Sequence, residues 1–208
     1  MKYDVIAFDL QGTLSDSSFS DKFWMKVLPE LYAQNKNIPL TKAREELKKK
    51  FKEYGKYDYR YYSMDYWLKE LNLKLKFKDI CKLIKSKPYF YRDSLKLIKK
   101  LGKKNILIVI SSTTKEFINA ELGKNKKCFK YIFSSIDDFD IAGKPKELYL
   151  KIAKILKTNP HKIIYIGNDT EMDIRNARLA GYNTFFFDND KARKENMSKL
   201  SEIIEEKK

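Results

Sequence analysis

Val5-Ile6-Ala7-Phe8 is an apolar run too short for a helix, and it runs straight into Asp9, Leu10, Gln11 and Gly12. A run of this kind is expected to be a buried strand. It delivers one carboxylate to its C-terminal end, beside a glycine turn whose backbone N–H groups can face an anion. In an open α/β sheet the carboxyl ends of the strands are where ligands bind. Asp9 is therefore placed to attack a phosphorus or a carbon. Gln11 stands two residues on, where a second acid is expected.

The same strand-then-helix pattern returns in the second half of the chain. Strands are expected at 106–110, 131–133, 163–166 and 184–187. Helices are expected at 95–101, 114–122, 146–156 and 173–180, with one more around 200–204 in the tail that begins at Lys191. Such alternation argues for a parallel sheet with helices on both faces. Between the first strand and this half the pattern is wholly helical. Apolar residues recur at helical spacing over 20–34, where Pro29 is expected to bend or split the helix, then over 41–54 with Thr41 as cap, 63–72 and 77–85. The expected organisation is an α/β core formed by residues 1–15 and 88–208, with a helical insert, 16–87, standing over the strand ends.

Composition narrows the function classes. The chain has 208 residues, 43% of them hydrophobic, enough for a core domain with a smaller insert. No apolar run approaches the ~18 residues a membrane span needs. The chain enters a strand almost at once, without a signal-peptide pattern. Cys81 and Cys128 lie far apart and suit no metal spacing, so they are expected to be reduced thiols of a cytoplasmic protein. The net charge is +16, and the insert, with 18 basic and 10 acidic residues, contributes half of it. A positive field favours anionic substrates. No nucleic-acid-binding signature accompanies it, so specific nucleic-acid binding is not expected. The tyrosine-rich run in the insert (Tyr54, Tyr57, Tyr59, Tyr61, Tyr62, Tyr66) is expected mainly to pack it. A single histidine, His161, rules against a histidine-based triad.

Four strand ends carry polar groups in chain order: Asp9, then Ser111-Ser112-Thr113, then Lys144 in Gly-Lys-Pro, then Asn168-Asp169 with Asp173. Taken singly, Ser111 and Ser112 are helix caps, Asp173 is a first-turn acid answering a helix dipole, and Asp9 is a turn residue. Together they fit phosphoryl transfer. A carboxylate attacks, hydroxyls hold phosphoryl oxygens, a lysine offsets charge, and oxygen ligands hold Mg²⁺.

This set resembles the haloacid dehalogenase superfamily. Phe-Asp-Leu-Gln-Gly-Thr-Leu-Ser-Asp-Ser (8–17), Ile-Val-Ile-Ser (108–111), Gly-Lys-Pro (143–145) and Ile-Gly-Asn-Asp-Thr-Glu-Met-Asp (166–173) look like its four motifs. The insert resembles its C1 type of cap. The resemblance implies a Rossmann-like core and a phosphoaspartyl route. Asp9 would be phosphorylated and then hydrolysed. Asp9, the Gln11 carbonyl and an acid or amide among Asn168, Asp169 and Asp173 would hold Mg²⁺. Gly12, Thr13, Ser111, Ser112 and Lys144 would bind a small phosphorylated substrate.

Two departures set this chain apart. Gln11 stands where the family's phosphatases carry a general acid–base aspartate, and losing such a group typically costs about 10²–10⁴-fold. Acyl and aryl phosphates, whose leaving oxygens need least protonation, should suffer least. Asn168 stands where a metal-binding aspartate is usual. The leading expectation is a slow Mg²⁺-dependent phosphohydrolase. A dehalogenase-like hydrolase and a degenerate, non-catalytic member that binds a phosphorylated ligand or a partner are the alternatives.

Overall fold

The apolar runs pair side by side because the central ones are buried on both faces and must satisfy their backbone groups laterally. The structure, a computed structural model, describes residues 2–187 and 193–205. Strands β1 (Val5–Phe8), β2 (Ile106–Ser111), β3 (Tyr131–Ser134), β4 (Ile163–Gly167) and β5 (Asn183–Phe186) form one parallel sheet in the order β3-β2-β1-β4-β5. The first strand is thus central. The chain leaves β1 toward one side and returns for β4 on the other, so the topological switch point lies at β1. Phe8 pairs with Val109 and Ile166, which sets Asp9 between the ends of β2 and β4.

Between β1 and β2 lie α1 (Ser18–Lys22), a π turn (Phe23–Val27), α2 (Leu28–Lys36), α3 (Leu40–Tyr54), α4 (Met64–Glu70) and α5 (Phe77–Ile84). They enclose a core of their own around Phe19, Phe23, Leu28, Leu47, Trp67 and Ile80. Pro29 does not break the helix. The π turn ends just before it, with the Leu28 N–H reaching back to the Phe23 carbonyl. That wider turn makes room for a residue that lacks an N–H and crowds the preceding turn. Thr41 is not a cap, because the helix starts one residue earlier at Leu40. Ser63 does cap α4, accepting from the Tyr66 N–H at 3.2 Å.

The sheet is covered by α6 (Arg92–Leu101), α7 (Lys115–Leu122), α8 (Ser135–Phe139), α9 (Lys146–Leu156), α10 (Asn176–Leu179) and α11 (Arg193–Glu205). Lys191, the expected start of the tail, lies outside the described residues. Side chains alternate across the strands. Ile6, Phe8, Val109 and Ile164 pack with α6, α7 and α11 on one face. Val5, Ala7, Ile108 and Tyr165 pack with α9 and α10 on the other. Among the described residues no helix is long and apolar enough to cross a membrane.

Phe117 of α7 belongs to both halves of the molecule. It is fully buried, and its ring lies 6.1, 5.7 and 5.2 Å from the rings of Phe19, Phe23 and Phe77. A second junction ties Lys56 and Tyr57 to Glu171. Lys56 is ion-paired with it, and the Tyr57 hydroxyl donates at 2.9 Å. Phe117→Ala should cost about 3–5 kcal/mol in urea denaturation. Hydrogen exchange should show the loss of protection concentrated in the helices between residues 18 and 84.

Candidate active site

A lysine delivered from the turn before α9 meets two carboxylates under the end of β1. Lys144 Nζ donates to Asp9 Oδ1 at 2.7 Å and to the Tyr165 hydroxyl at 3.1 Å, and it is ion-paired with Asp173 Oδ1. Its three N–H donors are therefore all engaged. Lys144, Asp9 and Asp173 are 2%, 6% and 1% exposed, so the charges answer one another rather than water. Burial raises the Asp9 carboxyl to about 6, against the pull of Lys144 and helped by Asp173. For Lys144, burial opposes the charged form, but Asp173 and Asp9 outweigh it and hold the ammonium above its usual range.

Asp173 is fixed from the other side. Its Oδ2 accepts the backbone N–H groups of Asn168 and Asp169, each at 3.0 Å. The carboxylate folds so closely over Gly167 that a Cβ there would lie 2.4 Å from Oδ2. Only glycine fits, which explains the Gly-Asn-Asp turn. Gly143 is needed for a different reason. Its φ is +66°, and a Cβ would sit 3.0 Å from the Lys56 carbonyl of the helical segment.

Gln11 leads to a third buried acid, one that sequence reasoning did not single out. Gln11 Nε2 donates to Glu121 Oε1 at 2.6 Å and to Ser20 Oγ at 3.0 Å. The Ser20 hydroxyl itself donates to the Ser17 carbonyl at 3.2 Å, so it must accept from Gln11. Glu121 Oε2 takes the Ser15 hydroxyl at 2.9 Å. Burial pushes Glu121 up to about 7, against its bonds from Gln11 and Ser15. Its signal in the sequence was a glutamate on the apolar face of α7, four residues after Phe117 and beside Leu122. Tyr165, inside a strand that otherwise reads as pure core, was the other residue missed.

A cation site is tested by its oxygens. One end of the Asn168 amide lies 3.3 Å from both the Gln11 carbonyl and Asp9 Oδ2. With its nitrogen at that end the amide donates to both oxygens. With its oxygen there instead, three acceptors, one of them a carboxylate, face one another, which is the donor set a hard divalent cation uses, so these residues fit Mg²⁺. Among the described residues no three His, Cys, Asp or Glu side chains form a metal cluster. Asp169 is not brought to this set. Its carboxylate caps the turn after β4, accepting from Glu171 N at 2.9 Å and Met172 N at 2.7 Å. Asp173 faces Lys144 and the backbone instead.

The expected anion-binding turn differs as well. The Gly12 N–H donates to the Ser15 carbonyl at 2.8 Å and the Thr13 N–H to the Leu10 carbonyl at 3.3 Å, so both are spent inside the turn. Thr13 is buried, with its hydroxyl 3.5 Å from Asn168 Oδ1. Ser111 ends β2, buried, and accepts from the Thr113 N–H at 3.4 Å. Ser112 and Thr113 border a cavity of about 300 Å³ roofed by the helical segment and shared with Gln11.

The family model described as haloacid dehalogenase-like hydrolase matches residues 3–181. The GMP/IMP nucleotidase YrfG of Escherichia coli (strain K12) is 30% identical over 78 residues, 38% of this chain and 32% of that protein. The chain thus spans about a third of the length of the curated relatives it matches. Two solved structures share the fold. A HAD phosphatase from Thermococcus onnurineus superposes with a TM-score of 0.80 at 20% identity, covering 99% of this chain and 98% of that one. The putative HAD-hydrolase YfnB from Bacillus subtilis, described as bound to magnesium, gives 0.63 at 19% identity, covering 93% and 92%.

Glu121 makes stability pH-dependent. Its folded value near 7 lies above its ordinary 4.5. Its favourable contribution is therefore present in full below pH 4.5 and is lost as pH rises through 7. Glu121→Gln removes that loss. Relative to the parent, the variant should gain about 2 kcal/mol between pH 5 and pH 8, read from urea midpoints at the two values.

Proposed function

Because this chain belongs to the haloacid dehalogenase-like hydrolase family, we propose that it is a phosphohydrolase with Asp9 as nucleophile, Mg²⁺ as cofactor and a small phosphorylated molecule as substrate. The observation that carries this reading is the division of labour at one carboxylate. Asp9 Oδ1 is held by Lys144, while Oδ2 lies 3.3 Å from the Asn168 amide, which is equally close to the Gln11 carbonyl. An ammonium on one oxygen and a cation site on the other fit a nucleophile that must meet a phosphate dianion.

In this reading Asp9, the Gln11 carbonyl and Asn168 hold Mg²⁺, which when bound supplies positive charge against the phosphoryl oxygens. Asp9 attacks phosphorus as the bond to the leaving oxygen breaks. Lys144 keeps the carboxylate ionised and oriented, and Asp173 and Tyr165 keep Lys144 in place. Ser111 and Ser112, at the end of the neighbouring strand, offer hydroxyls to the transferring group. Water then attacks the phosphorus of the aspartyl phosphate, which releases inorganic phosphate and restores Asp9. Both N–H donors of Gln11 are engaged, so Gln11 offers only its Oε1 and can orient that water without taking its proton. The name of the Escherichia coli relative places purine nucleotides in the assay panel.

Phosphate release from acetyl phosphate with Mg²⁺ should fall at least 10³-fold in Asp9→Asn, and full activity in that variant would sink the reading. Gln11→Asp should raise turnover on alkyl phosphates by about 10²-fold or more by restoring a proton donor. Asn168→Asp adds a charge to the oxygen set and should tighten Mg²⁺ binding at least tenfold by calorimetry. Equal affinity would remove Asn168 from the ligand set.

A further inference from the structure

The insert carries half of the chain's net positive charge, yet no lysine or arginine lines the cavity beneath it. Its roof is aromatic, formed by Trp24, Phe51, Tyr61 and Tyr62, and its floor is polar, with Gln11, two places after Asp9 in the chain, and Ser112 and Thr113. Among the described residues that line it, Asp21 carries the only charge. Of the cations nearby, Lys56 pairs with Glu171, Arg60 with Asp58, and Lys144 with Asp9 and Asp173, while Lys22 and Lys26 are exposed and do not line the cavity. The rings of the roof also pack on one another. The Trp24 and Phe51 rings meet edge to face at 5.9 Å, Phe51 and Tyr61 at 6.1 Å, and Tyr61 and Tyr62 at 4.9 Å. The Tyr62 hydroxyl is tied to the Lys56 carbonyl at 3.0 Å.

Two independent features of this cavity bear on what leaves phosphorus there. The first is the lining. A substrate carboxylate or second phosphate would find no cation among the side chains that line the cavity, whereas a flat uncharged ring finds aromatic edges and faces. The second is the direction of the Gln11 amide. One N–H goes to Glu121 and the other to Ser20, and Ser20 cannot donate in the reverse direction because its own proton goes to the Ser17 carbonyl. Gln11 therefore gives the leaving oxygen no proton and no hydrogen bond. An alkoxide departs badly under those conditions, and a phenolate departs well.

Resting on the phosphohydrolase reading above, we propose that the cavity selects aryl phosphates, monoesters whose leaving oxygen is attached directly to an uncharged aromatic ring. An Asp9 oxygen bonds to phosphorus as the P–O(aryl) bond breaks, and the ring oxygen leaves with the bonding pair as a phenolate. Water then displaces Asp9 from phosphorus, and its proton passes to solvent. Glu121 acts as a positioning residue that holds Gln11 as an acceptor.

The test compares kcat/KM of the full chain with Mg²⁺ on phenyl phosphate, cyclohexyl phosphate, 2-phosphoglycolate, a purine nucleoside 5′-monophosphate and acetyl phosphate. Phenyl phosphate should exceed cyclohexyl phosphate, the nucleotide and phosphoglycolate by at least 10²-fold. Gln11→Asp should close the gap by raising cyclohexyl phosphate more than phenyl phosphate. Tyr61→Ala, at a side chain 38% exposed, should raise KM for phenyl phosphate at least fivefold more than for ringless acetyl phosphate. If acetyl phosphate is turned over but any of the three other esters matches phenyl phosphate, the aryl assignment is overturned and the phosphohydrolase reading stands. If none of the five releases phosphate, both fall together.

Discussion

One ammonium shared by two buried carboxylates sets the terms for the rest of this structure. Lys144, Asp9 and Asp173 are withdrawn almost completely from water, and removing one partner from such a cluster typically costs about 3–5 kcal/mol because the others are left uncompensated. The fold is arranged to hold the cluster. β1 ends at Asp9, the β4 turn wraps its N–H groups around Asp173, and the Gly-Lys-Pro turn brings Lys144 from a third element. Tyr165 takes the last lysine donor and reaches the Ile110 carbonyl at 3.1 Å, which ties the cluster to the neighbouring strand.

Glu121 is a third buried acid, not paired with that lysine, and it acts by hydrogen-bond direction. An amide beside a nucleophile can donate or accept. Here both donors are consumed before any ligand arrives. The residue two places after Asp9 is thus more restricted than its chemistry alone requires, and the restriction comes from a helix 110 residues further along the chain.

The helical segment separates charge from cavity. Its lysines and arginines line the outside or pair with acids, while Trp24, Phe51, Tyr54, Tyr66 and Trp67 interlock ring against ring. The net charge of the segment therefore describes the field it casts into solvent and not the surface it turns inward. The tyrosine-rich run divides along the same line. Tyr54 and Tyr66 pack and share a 2.9 Å contact between their hydroxyls, whereas Tyr61 and Tyr62 border the cavity.

Legible in the sequence were the parallel sheet, the helical segment after the first strand, and the places of Asp9, Ser111 and Asn168 at the ends of β1, β2 and β4. Those follow from local hydrophobic period and from the rule that strand ends in such sheets lie together. Tertiary structure alone decided the finer assignments. Asp169 became a cap and Asp173 a lysine partner because their turn folds back over Gly167. Gly12 and Thr13 lost their amide hydrogens to the turn itself. Pro29 was absorbed by a π turn, and Glu121 was drawn in against Gln11. Each of these depends on which donor reaches which acceptor within about 3 Å. Residues far apart in the chain settle that choice only when packing brings them together.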